Sequence, residues 1–174
     1  HPIIVEIILY YFKNGFNYFI LPLGYKKKFF VNFFLNKNNI SKYKFNILKK
    51  NSLNFNNEKI NILFFNAGLK SNKLERIYKS VNYLDESNNY LGICYGDIFA
   101  NVSFNKVLSH LKNIKISGVL AGYQEHSPFG HLKIKNKEIL AFSEKPLLKE
   151  PINIGFYFFK KKIFLNNKLK KKED

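Results

Sequence analysis

The sequence predicts an α/β fold, a mostly parallel sheet with helices on both faces. Three observations carry that expectation. Short apolar runs alternate along the chain with segments of helical periodicity. The strand candidates at 17–23, 59–65, 90–95 and 153–159 are almost continuously apolar, as strands covered on both faces are. The length, 174 residues with 46% hydrophobic side chains, suits one domain with a genuine core.

The elements follow in order. Residues 2–13 (PIIVEIILYYFK) are apolar almost all round and predict a buried helix, with Gly15 as its C-terminal cap. Residues 17–23 (NYFILPL) predict a buried strand weakened at its end by Pro22, turning at Gly24-Tyr25. Residues 26–35 predict a second helix. Residues 36–58, rich in Asn, Lys and Ser, predict a loop with no more than a peripheral strand near 43–48. Residues 59–65 (KINILFF) predict a strand, 66–72 a loop holding Gly68, and 73–81 a helix.

Residues 90–95 (YLGICY) predict another buried strand, followed at once by Gly96-Asp97. Ser103 is the expected N-cap of a helix to 111. Residues 115–123 predict a strand. Residues 130–135 and 138–143 alternate around Asn136-Lys137 and predict a hairpin. Residues 153–159 predict the last strand, before a Lys-rich helix or tail. One domain is expected over 1–167, with a charged tail at 168–174. Such a domain normally opens with a strand. This chain opens inside a helix and not at Met, so its beginning is expected to lie upstream.

The charge is large but uninformative. Lys and Arg number 29 against 12 Asp and Glu, a net +17, yet Arg76 is the only arginine. A dedicated nucleic-acid binder favours arginine for bidentate contacts to phosphate and base edges. Lys, Asn, Ile, Phe and Tyr share A/T-rich codons, so the surplus is most simply drift from Arg to Lys. Nucleic acid is therefore not the expected partner. No apolar run reaches the roughly 18 residues a bilayer span requires, so no membrane role is expected. One cysteine excludes a disulfide framework and a cysteine-based zinc site, and makes the cytoplasm the default location.

Ligands of open α/β sheets sit at the carboxyl ends of the strands. The residues just past each strand are therefore the candidates. Gly96 lets the backbone turn close to a ligand, and Asp97 then offers an oxygen to a hard cation bridging phosphates. The alternative is that Asp97 caps a turn or helix. Lys145 of Glu144-Lys145-Pro146 could hold a phosphate as a point charge, or the tripeptide could be a surface turn. Asn153 and Gly155 lie in an apolar strand. A buried Asn153 would need hydrogen-bond partners, from a sugar hydroxyl or from neighbouring backbone. No histidine pair has metal spacing, Cys94 reads as inert packing, and neither a Walker loop nor GxGxxG is present.

Taken in order, HPIIVEIILYYFKNG, FILPLGYKKKFFVNFF, Asn-Ala-Gly, LERI, YGD, FG, EKP and NIGFYFF resemble the sugar-phosphate nucleotidyltransferases, in particular their cytidylyltransferase branch. The likeness covers nearly all of 1–167. It implies a truncated, Rossmann-like nucleotidyltransferase core. It further implies transfer from a nucleoside triphosphate, CTP favoured, to a sugar 1-phosphate, giving an NDP-sugar such as CDP-glucose and pyrophosphate. Asp97 then corresponds to a Mg²⁺ ligand and Gly96 to the glycine admitting the nucleotide. Lys145 corresponds to the sugar-phosphate lysine, Glu144 and Asn153 lie at sugar-contacting positions, and Gly155 is a further substrate-binding residue. Gly68, Lys73 and Arg76 flank the nucleotide.

The sequence departs from the family at several points. The Gly-rich GGxGTR loop would precede His1, and a second metal-binding aspartate would follow residue 167. The family's TGGR reads Lys70-Ser71-Asn72-Lys73. A fragment is expected, with a non-catalytic sugar-phosphate-binding or regulatory homologue as the alternative. A sheet edge exposed by a missing strand would invite self-association into a homo-oligomer.

Overall fold

In a computed structural model, residues 2–50, 54–84 and 88–165 are described. The chain divides into two compact units, one from residues 1–91 with 160–174, the other from 92–159. The expected tail at 168–174 lies outside the described residues.

The first unit opens with α1 (Ile3–Lys13), which buries Val5, Ile7, Ile8 and Tyr11. Ile3 stays exposed, so α1 is amphipathic and not buried all round as its composition suggested. β1 (Tyr18–Leu23) contains Pro22, aligned with Phe65. β1 is an edge of its sheet, where a missing N–H is tolerated. α2 (Lys27–Leu35) follows.

Within the expected loop at 36–58 the structure adds α3 (Lys37–Tyr43), and the peripheral strand near 43–48 is β2 (Phe45–Ile47). Asn36 caps α3, its side-chain oxygen accepting from the N–H groups of Asn38 at 3.0 Å and Asn39 at 3.3 Å. α3 buries only Tyr43, so it has almost no apolar period to detect. β3 (Ile60–Asn66) is the central strand, parallel to β1 and to β2. Its Ile60 and Ile62 join Val5, Ile8, Phe34, Tyr43 and Phe45 in the core.

Asn61, between them in sequence and so on the opposite face of β3, is also fully buried. Its amide nitrogen is shared by the carbonyls of Asn56 at 2.8 Å, Asn17 at 3.1 Å and Lys59 at 3.2 Å. Its oxygen accepts from Asn46 Nδ2 at 2.6 Å and Asn56 N at 2.9 Å. A buried amide this well partnered pegs the 54–59 segment to the sheet. α4 (Lys73–Val81) completes this side of the chain, and α6 (Lys162–Leu165) returns to the same unit.

β4 (Tyr90–Cys94) leads into the second unit, with α5 (Phe104–Lys112), β5 (Gly118–Tyr123), β6 (His131–Lys135), β7 (Glu138–Ser143) and β8 (Ile152–Lys160). The strand order is β4-β8-β5. β4 is half-exposed, not buried as expected. The parallel arrangement holds for β1-β3-β2, whereas β8 runs antiparallel to β5. No crossover helix joins β5 to β8, and without one the chain returns in the opposite direction. α5 buries Phe104, Val107 and Leu111, and Phe104 meets Phe158 edge-on at 5.6 Å between centroids. No helix among the described residues is long and apolar enough to cross a membrane.

β6 and β7 form the expected hairpin as a separate two-stranded sheet. Its turn places Asn136 at φ 50° and Lys137 at φ 68°, the pattern of a type I′ turn. Lysine has no special tolerance for the left-handed region. Lys137→Gly is therefore expected to stabilise the chain by about 1 kcal/mol, read as a higher urea midpoint in dilute solution with an unchanged m-value.

Candidate functional site

In the first unit the parallel register brings the carboxyl ends of β1 and β3 to one edge. Leu23 aligns with Asn66, and Ala67 N donates to Leu23 O at 2.8 Å. The loop from Asn66 to Asn72 starts there. Asn66 Oδ1 accepts from Gly68 N at 3.3 Å, and Gly68 takes φ 98°, a conformation glycine adopts without strain. Asn72 then caps α4, its side-chain oxygen accepting from Glu75 N at 2.8 Å. Lys73 is the first, exposed residue of that helix.

Arg76, one turn further along α4, reaches back to this loop. Its Nε donates to Ser71 O at 3.1 Å, Nη1 to Pro22 O at 3.1 Å and Nη2 to Gly68 O at 3.3 Å. A Cβ on Gly24 would lie 2.7 Å from Nη2, so the end of β1 is shaped to admit the guanidinium. Lys79, three residues beyond Arg76, donates to Ala67 O at 2.7 Å and to Ser71 Oγ at 2.7 Å. The Ser71 hydroxyl itself donates to Ala67 O. The two cations thus hold loop carbonyls inward. Sequence reasoning missed Ser71 and Lys79. The available signal was the i,i+3 spacing of Arg76 and Lys79, which puts both on one face of α4.

In the second unit Gly96-Asp97 makes an exposed turn directly after β4. Tyr95, just before it, donates its N–H to Gly155 O at 3.1 Å. Gly155 takes φ 73°, and a Cβ there would stand 2.4 Å from the Tyr95 ring, so only glycine fits. The Tyr95 hydroxyl lies 3.0 Å from that of Tyr157, which also accepts from Asn153 Nδ2 at 2.7 Å. Asn153 Oδ1 accepts from Gly155 N at 2.8 Å. Asn153 is exposed, not buried as expected, because it precedes the buried stretch of β8. Its amide is oriented by Gly155 and Tyr157. Tyr95 and Tyr157 were not expected at the site, since a tyrosine in an apolar run reads as core. A cavity of about 550 Å³ opens beside this cluster, lined by Ile98, Phe99, Asn101, Ser103, Tyr123 and Ile154 among others.

Glu144 and Lys145 follow β7 and are exposed. Lys145 takes φ 44°, although the residue before a proline normally stays extended. The segment 125–129 holds it there. Ser127 N donates to Pro146 O at 2.8 Å, and Leu148 N to Glu125 O at 2.8 Å. His126 Nδ1 lies 3.0 Å from Lys145 O and donates to it in the Nδ1–H tautomer. Ser127, itself buried, accepts from Phe129 N at 3.1 Å. A strained backbone this firmly held is typical of a ligand clamp. The candidates therefore fall in two sets. Gly68, Lys73 and Arg76 lie in the first unit. Gly96, Asp97, Glu144, Lys145, Asn153 and Gly155 lie in the second, where Tyr95 joins the Asp97 turn to Asn153 and Gly155.

Solved structures share this fold. HddC from Yersinia pseudotuberculosis matches with TM-score 0.55 and 19% identity, over 92% of this chain and 63% of that one. UDP-glucose pyrophosphorylase complexed with UDP-glucose matches with TM-score 0.54 and 13% identity, over 94% of this chain and 66% of that one. The fold is thus that of nucleotidyltransferase cores. The nucleotidyl transferase family matches residues 2–174, and the chain belongs to that family. A relative in Bacillus subtilis (strain 168), named "Probable glucose-1-phosphate cytidylyltransferase", is 28% identical over 94% of this chain and 64% of its own length. The chain spans just under two-thirds of these relatives.

Proposed function

We propose that this chain carries the sugar-phosphate and metal side of a sugar-1-phosphate nucleotidyltransferase, with CTP and glucose 1-phosphate as preferred substrates. A phosphate oxygen of the sugar 1-phosphate attacks the α-phosphorus of the triphosphate in line. The bond to the leaving pyrophosphate breaks, and no covalent bond to the protein forms. What remains for the protein is positioning and charge neutralisation. Lys145 holds the sugar phosphate, Glu144 and Asn153 meet sugar hydroxyls, and Gly96 keeps the nucleotide approach open. Gly68 and Lys73 border the nucleotide, on a loop that Arg76 braces.

The observation that carries this reading is the linkage of the Asp97 turn, through Tyr95, to Asn153 and Gly155. Among the described residues no group of three His, Cys, Asp or Glu could hold a metal unaided. Mg²⁺ commonly binds through one or two carboxylates and completes its shell with water and substrate phosphates. One exposed carboxylate fits an ion arriving with the triphosphate, and Asp97 would hold it. Bound there, Mg²⁺ would neutralise charge developing on the phosphates.

The test is pyrophosphate release from CTP, glucose 1-phosphate and Mg²⁺. Asp97→Asn is expected to lower that rate by about 100-fold or more while leaving the circular dichroism unchanged. No release from folded wild-type chain would reject catalysis by this chain alone. Calorimetric binding of the sugar phosphate without turnover would instead favour the non-catalytic homologue.

A further inference from the structure

β8 carries a hydroxyl that its packing does not require. Phe156 and Phe158 are buried on one face of the strand. Tyr157 lies on the other, its ring stacked on that of Phe159 at 6.4 Å between centroids. A phenylalanine would pack there equally well. The partners of the Tyr157 hydroxyl are Asn153 Nδ2, which donates to it at 2.7 Å, and the Tyr95 hydroxyl at 3.0 Å. Along a regular strand the backbones of Asn153 and Tyr157 would stand about 13 Å apart. Here Ala121 pairs with Phe156 and Gly122 with Asn153, so Ile154 and Gly155 bulge out of the ladder. A bulge bends its strand and re-aims side chains, and with this one the Asn153 amide meets the Tyr157 hydroxyl.

We propose that Tyr157 is a positioning residue for substrate recognition, its hydroxyl holding the Asn153 amide in the orientation that meets a sugar hydroxyl. This rests on the reading of Asn153 as a sugar contact. Gly155 N can only donate, so the Asn153 atom 2.8 Å from it is the oxygen, and the atom facing Tyr157 is the nitrogen. Both ends of the amide are thereby pinned, and turning it over would break two hydrogen bonds at once. Asn153 keeps its second amide hydrogen and one lone pair on Oδ1 to offer a ligand, and the residue is exposed. Without the Tyr157 hydroxyl this exposed amide keeps one anchor. Binding must then order it, and affinity falls. Tyr157 acts only through Asn153 and touches no substrate.

Tyr157→Phe tests this, since it keeps the ring and removes only the hydroxyl. Calorimetry is expected to show glucose 1-phosphate binding about fivefold weaker, with unchanged circular dichroism. In an Asn153→Ala background the same substitution should change binding by less than about twofold, because nothing is left for Tyr157 to hold. Equal losses in both backgrounds would make the hydroxyl merely structural and overturn the proposal, as would a Tyr157→Phe chain that binds as wild type does. The holding itself is read without ligand, from NMR relaxation of the Asn153 side-chain amide, whose order parameter should fall in Tyr157→Phe. An amide equally ordered in both proteins overturns the proposal whatever the binding shows. A wild type that fails to bind glucose 1-phosphate, while the variant does loosen the amide, would instead refute the sugar reading of Asn153, and the role in recognition with it.

Discussion

Arg76→Ala is expected to destabilise the chain by about 2–3 kcal/mol, the range for losing charge-assisted hydrogen bonds to partly buried carbonyls. Three acceptors lose their donor together: Pro22 O, Gly68 O and Ser71 O. Chemical denaturation reads the loss, and amide exchange of residues 67–71 should quicken more than that of β3. Arg76→Lys is expected to recover less than half, because one ammonium cannot span three carbonyls that a planar fork reaches at once. Gly24→Ala should reproduce part of the effect from the other side, since its Cβ would stand 2.7 Å from Nη2. Equal stability of Arg76→Ala and wild type would show that the fork contributes nothing.

Lys145→Gly is expected to do the opposite to stability and to damage binding. Relieving a left-handed lysine at φ 44° should stabilise by about 1 kcal/mol. Losing its ammonium should weaken sugar-phosphate binding by about tenfold or more. Lys145→Ala separates the two effects, since it removes the charge while keeping a Cβ in the left-handed region. Its binding loss should match that of Lys145→Gly without the gain in denaturation midpoint. The pair would then exemplify a site kept strained for function. If Lys145→Gly binds glucose 1-phosphate as wild type does in calorimetry, Lys145 is not the phosphate ligand.

What the sequence disclosed follows from where its signals are local. β1, β3 and the hairpin were legible because continuous apolar runs and period-two alternation are written within six or seven residues. α3 was not, because its one buried side chain, Tyr43, makes no period. The turn at Gly96-Asp97 was legible because a strand exit is itself a local feature. The partners of Arg76 were not, since Pro22 is 54 residues away and its carbonyl has no sequence identity. Asn153 was misplaced because the composition of a strand does not say which of its residues lie beyond the sheet's cover. The backbone of Lys145 runs against the ordinary pre-proline preference, so only the contacts of 125–129 reveal it.

The lone arginine acquires a different meaning in this light. The chain fills 28 of its 29 cationic positions with lysine, so at those places charge, reach or solubility is enough. At position 76 the demand is for a count of directed donors, because three backbone oxygens from two separate segments must be met by one side chain. In a chain with a single arginine, that residue stands where one side chain meets three backbone oxygens, a place where geometry matters more than charge.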